Sequence, residues 1–336
     1  MGNEKTTPLI EAIKKNDIEE VRRLIEAGAD VNEADNDGRT PLMYCTPSDL
    51  IQIAEVLIKY GADVNKLAND ARTPLMFAAQ YSATRIGKLL IEHKADVNAV
   101  DGECRSPLMY ISILEDYVTS TVPMAKLLIK YGADVNAVAN DGRSPLMYAA
   151  SGAQLYALEI SKLLIEHGAD INAVNNKTGA TVLTYAAKHH QNRLVEFLIE
   201  KKLDVNSSDN AGHTPLMYTA MDLNRSDIDT AKLLIEHGAN VNARNNKGGT
   251  ALMSAVSHGH RSLAELLIKH GADVNAVTIK GLSVLMCSRS RGMSWFLIEH
   301  GADVNAVDKD GNTALSIAKR DNNTEIIDLL IKNGAK

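Results

Sequence analysis

The chain has 336 residues, of which 45 % are hydrophobic and 23 % charged, and its formal net charge is −6 at pH 7. This is a globular composition, and the charge argues against general affinity for nucleic acid or for an anionic membrane surface. No apolar run approaches the roughly 20 residues that span a bilayer, and the three cysteines, Cys45, Cys104 and Cys287, are too scattered for a disulfide framework or a metal spacing, which fits a reducing, cytoplasmic setting.

The polar start, Met1 to Lys5, carries no secretory-leader pattern and runs straight into a helix signal, Thr7-Pro8-Leu9. That signal then returns along the whole chain. Thr-Pro-Leu or a close variant begins at Thr7, Thr40, Thr73, Ser106, Ser144, Thr181, Thr214, Thr250, Ser283 and Thr313. The ten markers are separated by 33, 33, 33, 38, 37, 33, 36, 33 and 30 residues. Between them the segment Gly28-Ala29-Asp30-Val31-Asn32 recurs at Gly61, Gly132, Gly168, Gly238, Gly271 and Gly301, with degenerate copies at Lys94 and Lys202 and a last start at Gly334. A fixed period of this size is the mark of a repeat architecture. Aromatic residues make up only 4 % of the chain, so the core is drawn from Leu, Ile, Val, Ala and Met, which suits thin layers of packed helices.

Each period reads as helix, turn, helix and hairpin. Thr40 is a suitable N-cap, and Pro41 stands at the first helical position, where its missing N–H costs nothing. Leu42, Tyr44 and Cys45 begin a short helix. Ile53, Ala54, Leu57 and Ile58 mark a second at helical spacing, which Gly61 ends in a left-handed conformation. Asp63-Val64-Asn65 then leads into the polar turn Asn69-Asp70. The extra residues of repeats four, five and seven fall near 115–123, 152–158 and 222–227, where loops are expected, with Tyr117 and Tyr156 in them. Repeat nine is three residues short near 288–293, so its first helix or turn must be clipped.

These residues resemble the ankyrin repeat, whose Thr-Pro-Leu-His-x-Ala pattern has the same 33-residue period. The likeness covers essentially the whole chain. It implies an all-α solenoid, a single domain over 1–336 whose ten repeats include capping repeats at about 1–36 and 310–336. The polar outer faces of both end repeats agree with caps, and so with an array that leaves no room for an appended catalytic domain. One departure is systematic. The family His is replaced by Met43, Met76, Met109, Met147, Met217, Met253 and Met286, and elsewhere by Ile10, Thr184 and Ser316. The hydrogen bonds of that His should be missing, with apolar packing in their place.

No catalytic signature rises above this pattern. There is no phosphate-cradling glycine loop, no Gly-x-Ser-x-Gly and no His-Glu-x-x-His, so no cofactor or metal is expected. His258-Gly259-His260 fits a turn between helices. His93, His167, His237, His270 and His300 each end a second helix, which reads as a surface capping habit.

The resemblance implies a non-catalytic scaffold, a monomer whose protein partner contacts the hairpin tips and the concave first-helix face. Two rows project there. One is Arg39, Arg72, Arg105 and Arg143, replaced later by Ala180, His213, Gly249, Leu282 and Asn312. Beside it run Tyr44, Phe77, Tyr110 and Tyr148, then Tyr185 and Tyr218. Arg and Tyr are enriched at binding hot spots, and stacked Arg favours carboxylate-bearing partners. The competing structural reading pairs each Arg with the acid two residues before it, Asp37, Asp70, Glu103 or Asp141, and buries the rings in the core. Later tips carry Lys177, Lys247 and Lys280, with Arg244 nearby, so the charge of the tips changes along the chain. A small-ligand or glycan-binding array is the alternative, as is a secreted or host-delivered bacterial effector or inhibitor, since the Asn- and Lys-rich repeats resemble arrays of host-associated bacteria. The family's hairpin asparagines, here Asn32, Asn65 and their equivalents, are also candidate hydroxylation targets.

Overall fold

The computed structural model describes residues 6–112, 121–152, 154–221 and 228–336, with only the backbone of 154 and 155. The chain divides into two compact units, Met1–Lys177 and Thr178–Lys336. Both are all-α among the described residues. In the first unit the helix pairs are Pro8–Lys14 with Ile18–Glu26, Pro41–Tyr44 with Ile51–Lys59, Pro74–Gln80 with Thr84–Glu92, Pro107–Tyr110 with Val122–Lys130, and Pro145–Ser151 with Gln154–Glu166. In the second they are Val182–Lys188 with Asn192–Glu200, Pro215–Tyr218 with Ile228–Glu236, Ala251–Ser257 with Arg261–Lys269, a 3₁₀ turn Leu285–Cys287 with Arg291–Glu299, and Ala314–Arg320 with Thr324–Lys332. Among the described residues, nine pairs of α-helices and one 3₁₀ turn with its helix thus follow the ten markers.

Each repeat contributes one layer to the core. The leucine of every marker, from Leu9 and Leu42 to Leu285 and Leu315, is buried, and each such side chain stabilises the fold by about 1.5–3 kcal/mol. The methionines that follow are buried too. Met43 packs on Ala68 and Phe77, and Met109 on Ala139 and Tyr148. Apolar packing thus occupies the place of the family's polar histidine. Where that position is polar, it serves the helix end: Thr184 and Ser316 complete capping boxes with Thr181 and Thr313.

Two expectations about the helices need correction. Thr73, Ser144, Thr214 and Thr250 accept a hydrogen bond from the third helical N–H, but Thr40 does not. Its Oγ1 is buried without a partner, as is the Oγ of Ser106. The helix after each is only four residues long. In repeat two, Thr46 Oγ1 turns back onto the Met43 carbonyl at 2.8 Å, and Pro47 forbids continuation. The second correction concerns repeat five. Its extra residues lengthen the second helix, which has 13 residues where its neighbours have nine, and Tyr156 lies on that helix, not in a loop. Of the insertion at 115–123, residues 115–120 with Tyr117 lie outside the described residues, as does 222–227, while Val122 and Pro123 open the second helix of repeat four. Repeat nine is clipped as its length required, down to the turn Leu285–Cys287.

The glycine that ends the second helix has a positive φ, 93° at Gly28 and Gly61. Lys94 and Lys202 stand in the same conformation, at 72° and 64°, despite their side chains. The histidines of this region bond the last turn. His93 Nδ1 lies 2.9 Å from the Leu89 carbonyl, and His167, His237 and His300 repeat the contact at 2.8 Å. His258 caps one helix of its repeat and His260 opens the next, on either side of Gly259.

Candidate functional site

The hairpins are built from backbone geometry outwards. The aspartate that opens the Asp-Val-Asn segment, replaced by Asn240 in the seventh repeat, accepts the N–H two residues on, as Asp30 does from Asn32 at 2.8 Å. The asparagine amide then bridges to the next repeat. Asn32 donates to the Gly61 carbonyl at 3.1 Å and accepts the Asp63 N–H at 2.8 Å. Asn65, Asn98 and Asn136 do the same within the first unit. Asn206, Asn242, Asn275 and Asn305 do it within the second. A second set of bonds links the tips, where Asn69 N–H donates to the Asp37 carbonyl, Gly102 N–H to Asp70 and Asn140 N–H to Glu103.

On this frame the first unit carries a stack of cations and rings. The Arg39 guanidinium lies 5.7 Å and that of Arg72 4.2 Å from the centre of the Phe77 ring. Arg72 also reaches Tyr110 at 6.0 Å, Arg105 lies 5.2 Å from Tyr110, and Arg143 4.3 Å from Tyr148. Lys14 continues the row to Tyr44 at 5.0 Å. Such contacts are worth about 0.5–1 kcal/mol at exposed sites and more when desolvated. Arg72 is the most enclosed of the four, with 15 % of its side chain exposed, and it also bonds Asp70 at 2.6 Å and Gln80 at 2.9 Å.

The acids of the stack follow a rule set by the first hairpin residue. Where that residue is Asp, it holds the ring hydroxyl: Tyr44 donates to Asp35 at 2.5 Å and Tyr110 to Asp101 at 2.6 Å. Where it is Ala68 or Ala139, the methyl packs under the ring and the acid two residues later takes over. Asp70 then pairs with Arg72, and Asp141 with both Arg143 and the Tyr148 hydroxyl at 2.8 Å. Arg105 accordingly pairs with Asp101, four residues before it, and not with Glu103. Pairing with the acid two residues back holds for Arg72 and Arg143, and loosely for Arg39, 3.8 Å from Asp37.

The electrostatics follow this packing. Burial and the bond to Asp35 push the Tyr44 hydroxyl up to about 12. Burial and bonded carboxylates raise Tyr110 and Tyr148 likewise. Burial would raise Asp101 and Asp141, but hydrogen bonds from Tyr110 and Arg105, and from Arg143 and Tyr148, hold them below the usual carboxylate range.

The site residues read from the sequence are thus brought together, in two layers. Phe77, Tyr110 and Tyr148 are buried, Tyr44 is half-buried, and the four guanidiniums are partly covered. Asp37, with 69 % of its side chain exposed, Asp70 and Glu103 face solvent. The sequence reading missed a third row. Leu67, Val100, Val138 and Val174 stand on successive hairpins, each between 49 and 57 % exposed. Its signal was present as the recurring Asn-Ala-Val at Asn98, Asn136, Asn172, Asn275 and Asn305, an aliphatic residue repeated inside a polar turn.

In the second unit the same frame keeps exposed valines at the aliphatic position, Val277 at 39 % and Val307 at 59 %, and carries other groups beside them. Tyr218 donates to Asp209 at 2.6 Å, and the His213 ring stands where an Arg would, 3.5 Å from that acid. Lys247 and Lys280 are exposed tips, and Arg244 donates to the Val277 carbonyl.

Models described as ankyrin repeats in three copies match residues 1–68, 116–209, 152–245, 183–278 and 274–336, and one described as ankyrin repeats in many copies matches 57–111. An ankyrin repeat protein of Fowlpox virus (strain NVSL) is 40 % identical over 63 residues, 19 % of this chain and 12 % of the viral protein. The tyrosine-protein kinase Shark of Drosophila melanogaster is 40 % identical over 86 residues, 25 % of this chain and 9 % of the kinase. The chain thus spans about a tenth of the length of the relatives it matches.

Proposed function

Because the chain belongs to the ankyrin-repeat family, whose repeats generally serve as protein-interaction modules, we propose that it is a non-catalytic protein-binding array, one domain of ten repeats. Its partner docks on the hairpin tips of the first unit and the first-helix side beside them. The contact set is Asp37, Asp70, Glu103 and Asp141 together with the aliphatic row from Leu67 to Val174. Arg39, Arg72, Arg105 and Arg143, with Tyr44, Phe77, Tyr110 and Tyr148, form the layer that holds those tips rigid.

One observation supports this reading above the others: exposed acids and exposed aliphatic side chains repeat in register on hairpins that are hydrogen-bonded to one another. A surface already ordered loses less entropy on binding. Its charge selects a partner with basic groups flanking an apolar patch. No helix among the described residues is long and apolar enough to cross a membrane.

Affinity capture tests the proposal. The wild-type chain is compared with one carrying Asp37→Lys, Asp70→Lys, Glu103→Lys and Asp141→Lys. Loss of a specific partner from the reversed chain, with its helical circular dichroism retained, supports the tips. Equal recovery from both chains overturns them.

A further inference from the structure

The hairpin tips of repeats seven to nine reverse the charge found in the first unit. Where the first unit has Asp70, Glu103 and Asp141, repeats seven and eight have Lys247 and Lys280, and repeat nine adds Lys309 one position earlier. Arg244 stands at the aliphatic position of repeat seven. All four residues are exposed, and the ion pairs described in the second unit include none of them. Two acids share these tips. Asp308 is spent within its own turn, accepting from Asn312 Nδ2 at 3.0 Å and from the Asp310 N–H at 2.9 Å, which leaves Asp310 as the exposed acid.

Backbone bonds hold the cations in a row. The Ile279 N–H donates to the Lys247 carbonyl at 3.0 Å, and the Lys309 N–H to the Lys280 carbonyl at 2.9 Å. Arg244 is tied across to the Val277 carbonyl. Gly248 permits the close approach, since a Cβ there would lie 2.8 Å from the Ile279 nitrogen. Ile279 is the unexpected residue. At its position Asn69, Asn140 and Asn246 bond the preceding hairpin through their side-chain amides. Ile279 gives up that bond and leaves an apolar side chain in water, 60 % exposed, between Lys247 and Lys280. Stacking of the repeats does not require that exchange.

We propose that these tips are a second protein-binding surface, which takes an extended acidic segment of a partner. Its carboxylates meet Lys247, Lys280 and Lys309, and an apolar side chain covers Ile279. Repeats stack at about the 8–10 Å of packed helices, and an extended chain advances about 3.3 Å per residue. Carboxylates three residues apart therefore reach successive lysines. Nucleic acid fits less well. The chain as a whole carries a net charge of −6, and single strands are held on aromatic platforms, whereas the exposed apolar groups of these tips are Ile279, Val277 and Val307.

The test titrates the full chain, with labelled isoleucine and valine methyl groups, with acetyl-Glu-Leu-Ser-Glu-Ser-Leu-Glu-amide, whose symmetric order suits either direction. Nuclear magnetic resonance should show saturable shifts at Ile279, Val277 and Val307, and none at Val100 and Val138 on the acidic tips. The peptide with Gln for every Glu should bind about tenfold more weakly, and the one with Ser for Leu about fivefold. Lys247→Glu with Lys280→Glu, two exposed changes, should abolish the shifts at unchanged helical content. Absence of saturable shifts at the three methyls overturns the surface, and equal affinity of the Glu and Gln peptides overturns its acidic partner. Tighter binding of a thymidine heptamer at the same methyls would assign the tips to nucleic acid. A dimer of the free chain that the double Lys variant dissociates would assign them to a second copy. Either result overturns the proposal. Failure here leaves the first unit's tips untouched, because none of their residues takes part.

Discussion

The hairpins of the two units share a frame and differ in what they place on it. The asparagine bridge from one hairpin to the helix end of the next repeat occurs in both, from Asn32 to Asn136 and from Asn206 to Asn305. The stack of arginines on rings belongs to the first unit, where Arg72 sits against Phe77 and Tyr110. At that position the second unit has Ala180, His213, Gly249, Leu282 and Asn312. The bridge is therefore what a repeat needs in order to stack. The Arg–ring layer is an addition, and it lies under the face that presents exposed acids and aliphatic side chains.

The largest expected effect separates the units. Arg72→Ala removes a partly buried cation held by Asp70, Gln80 and two rings, and should destabilise the first unit by about 2 kcal/mol. Lys247→Ala, at an exposed tip of the second unit, should change stability by no more than about 0.5 kcal/mol. Urea unfolding with hydrogen exchange resolved by unit measures both, and equal effects would break the comparison. The shared frame predicts the opposite pattern. Asn65→Ala and Asn242→Ala each delete two bonds to the next repeat and should cost about 1–1.5 kcal/mol in their own units, without a difference between them.

Within the first unit, Thr73→Ala should cost about 1 kcal/mol because its hydroxyl caps a helix, whereas Thr40→Ala should be close to neutral because its hydroxyl has no partner. The urea midpoints of the two variants decide this.

The smallest effect is on pH. Asp101 and Asp141 are lowered in the folded state, so their contribution is complete above the unfolded value of about 4 and is lost as pH falls below it. Tyr44 is raised to about 12, so its contribution is complete below about pH 10 and is lost as pH rises towards that value. Tyr44→Phe should reduce the alkaline limb of a midpoint-against-pH curve, to which Tyr110 and Tyr148 also contribute, and leave the acid limb in place.

Much of the fold was legible because it is written in a period. The Thr-Pro-Leu markers, the helix-ending glycines and the short ninth repeat each translate directly into backbone geometry. Side-chain partnership was less legible because it depends on three-dimensional alternation. Whether Arg105 meets Asp101 or Glu103 depends on the ring that occupies the same carboxylate, and sequence spacing does not contain that. Thr40 looked like its capping neighbours, but its hydroxyl is buried without a partner, and helix length does not explain this, since Thr214 caps a helix equally short. The aliphatic row from Leu67 to Val174 was visible in the text of the repeats. Its meaning came only with its exposure.

On the proposed reading, the exposed acids contact the partner while the arginines beneath them hold the surface. Titration of the captured partner against two variants tests it most directly. One carries Asp37→Lys with Glu103→Lys; the other carries Lys247→Glu with Lys280→Glu. The dissociation constant should rise at least tenfold for the first and stay within twofold for the second, at unchanged helical content. An unchanged constant for the first variant, or a larger loss for the second, would contradict the proposed reading.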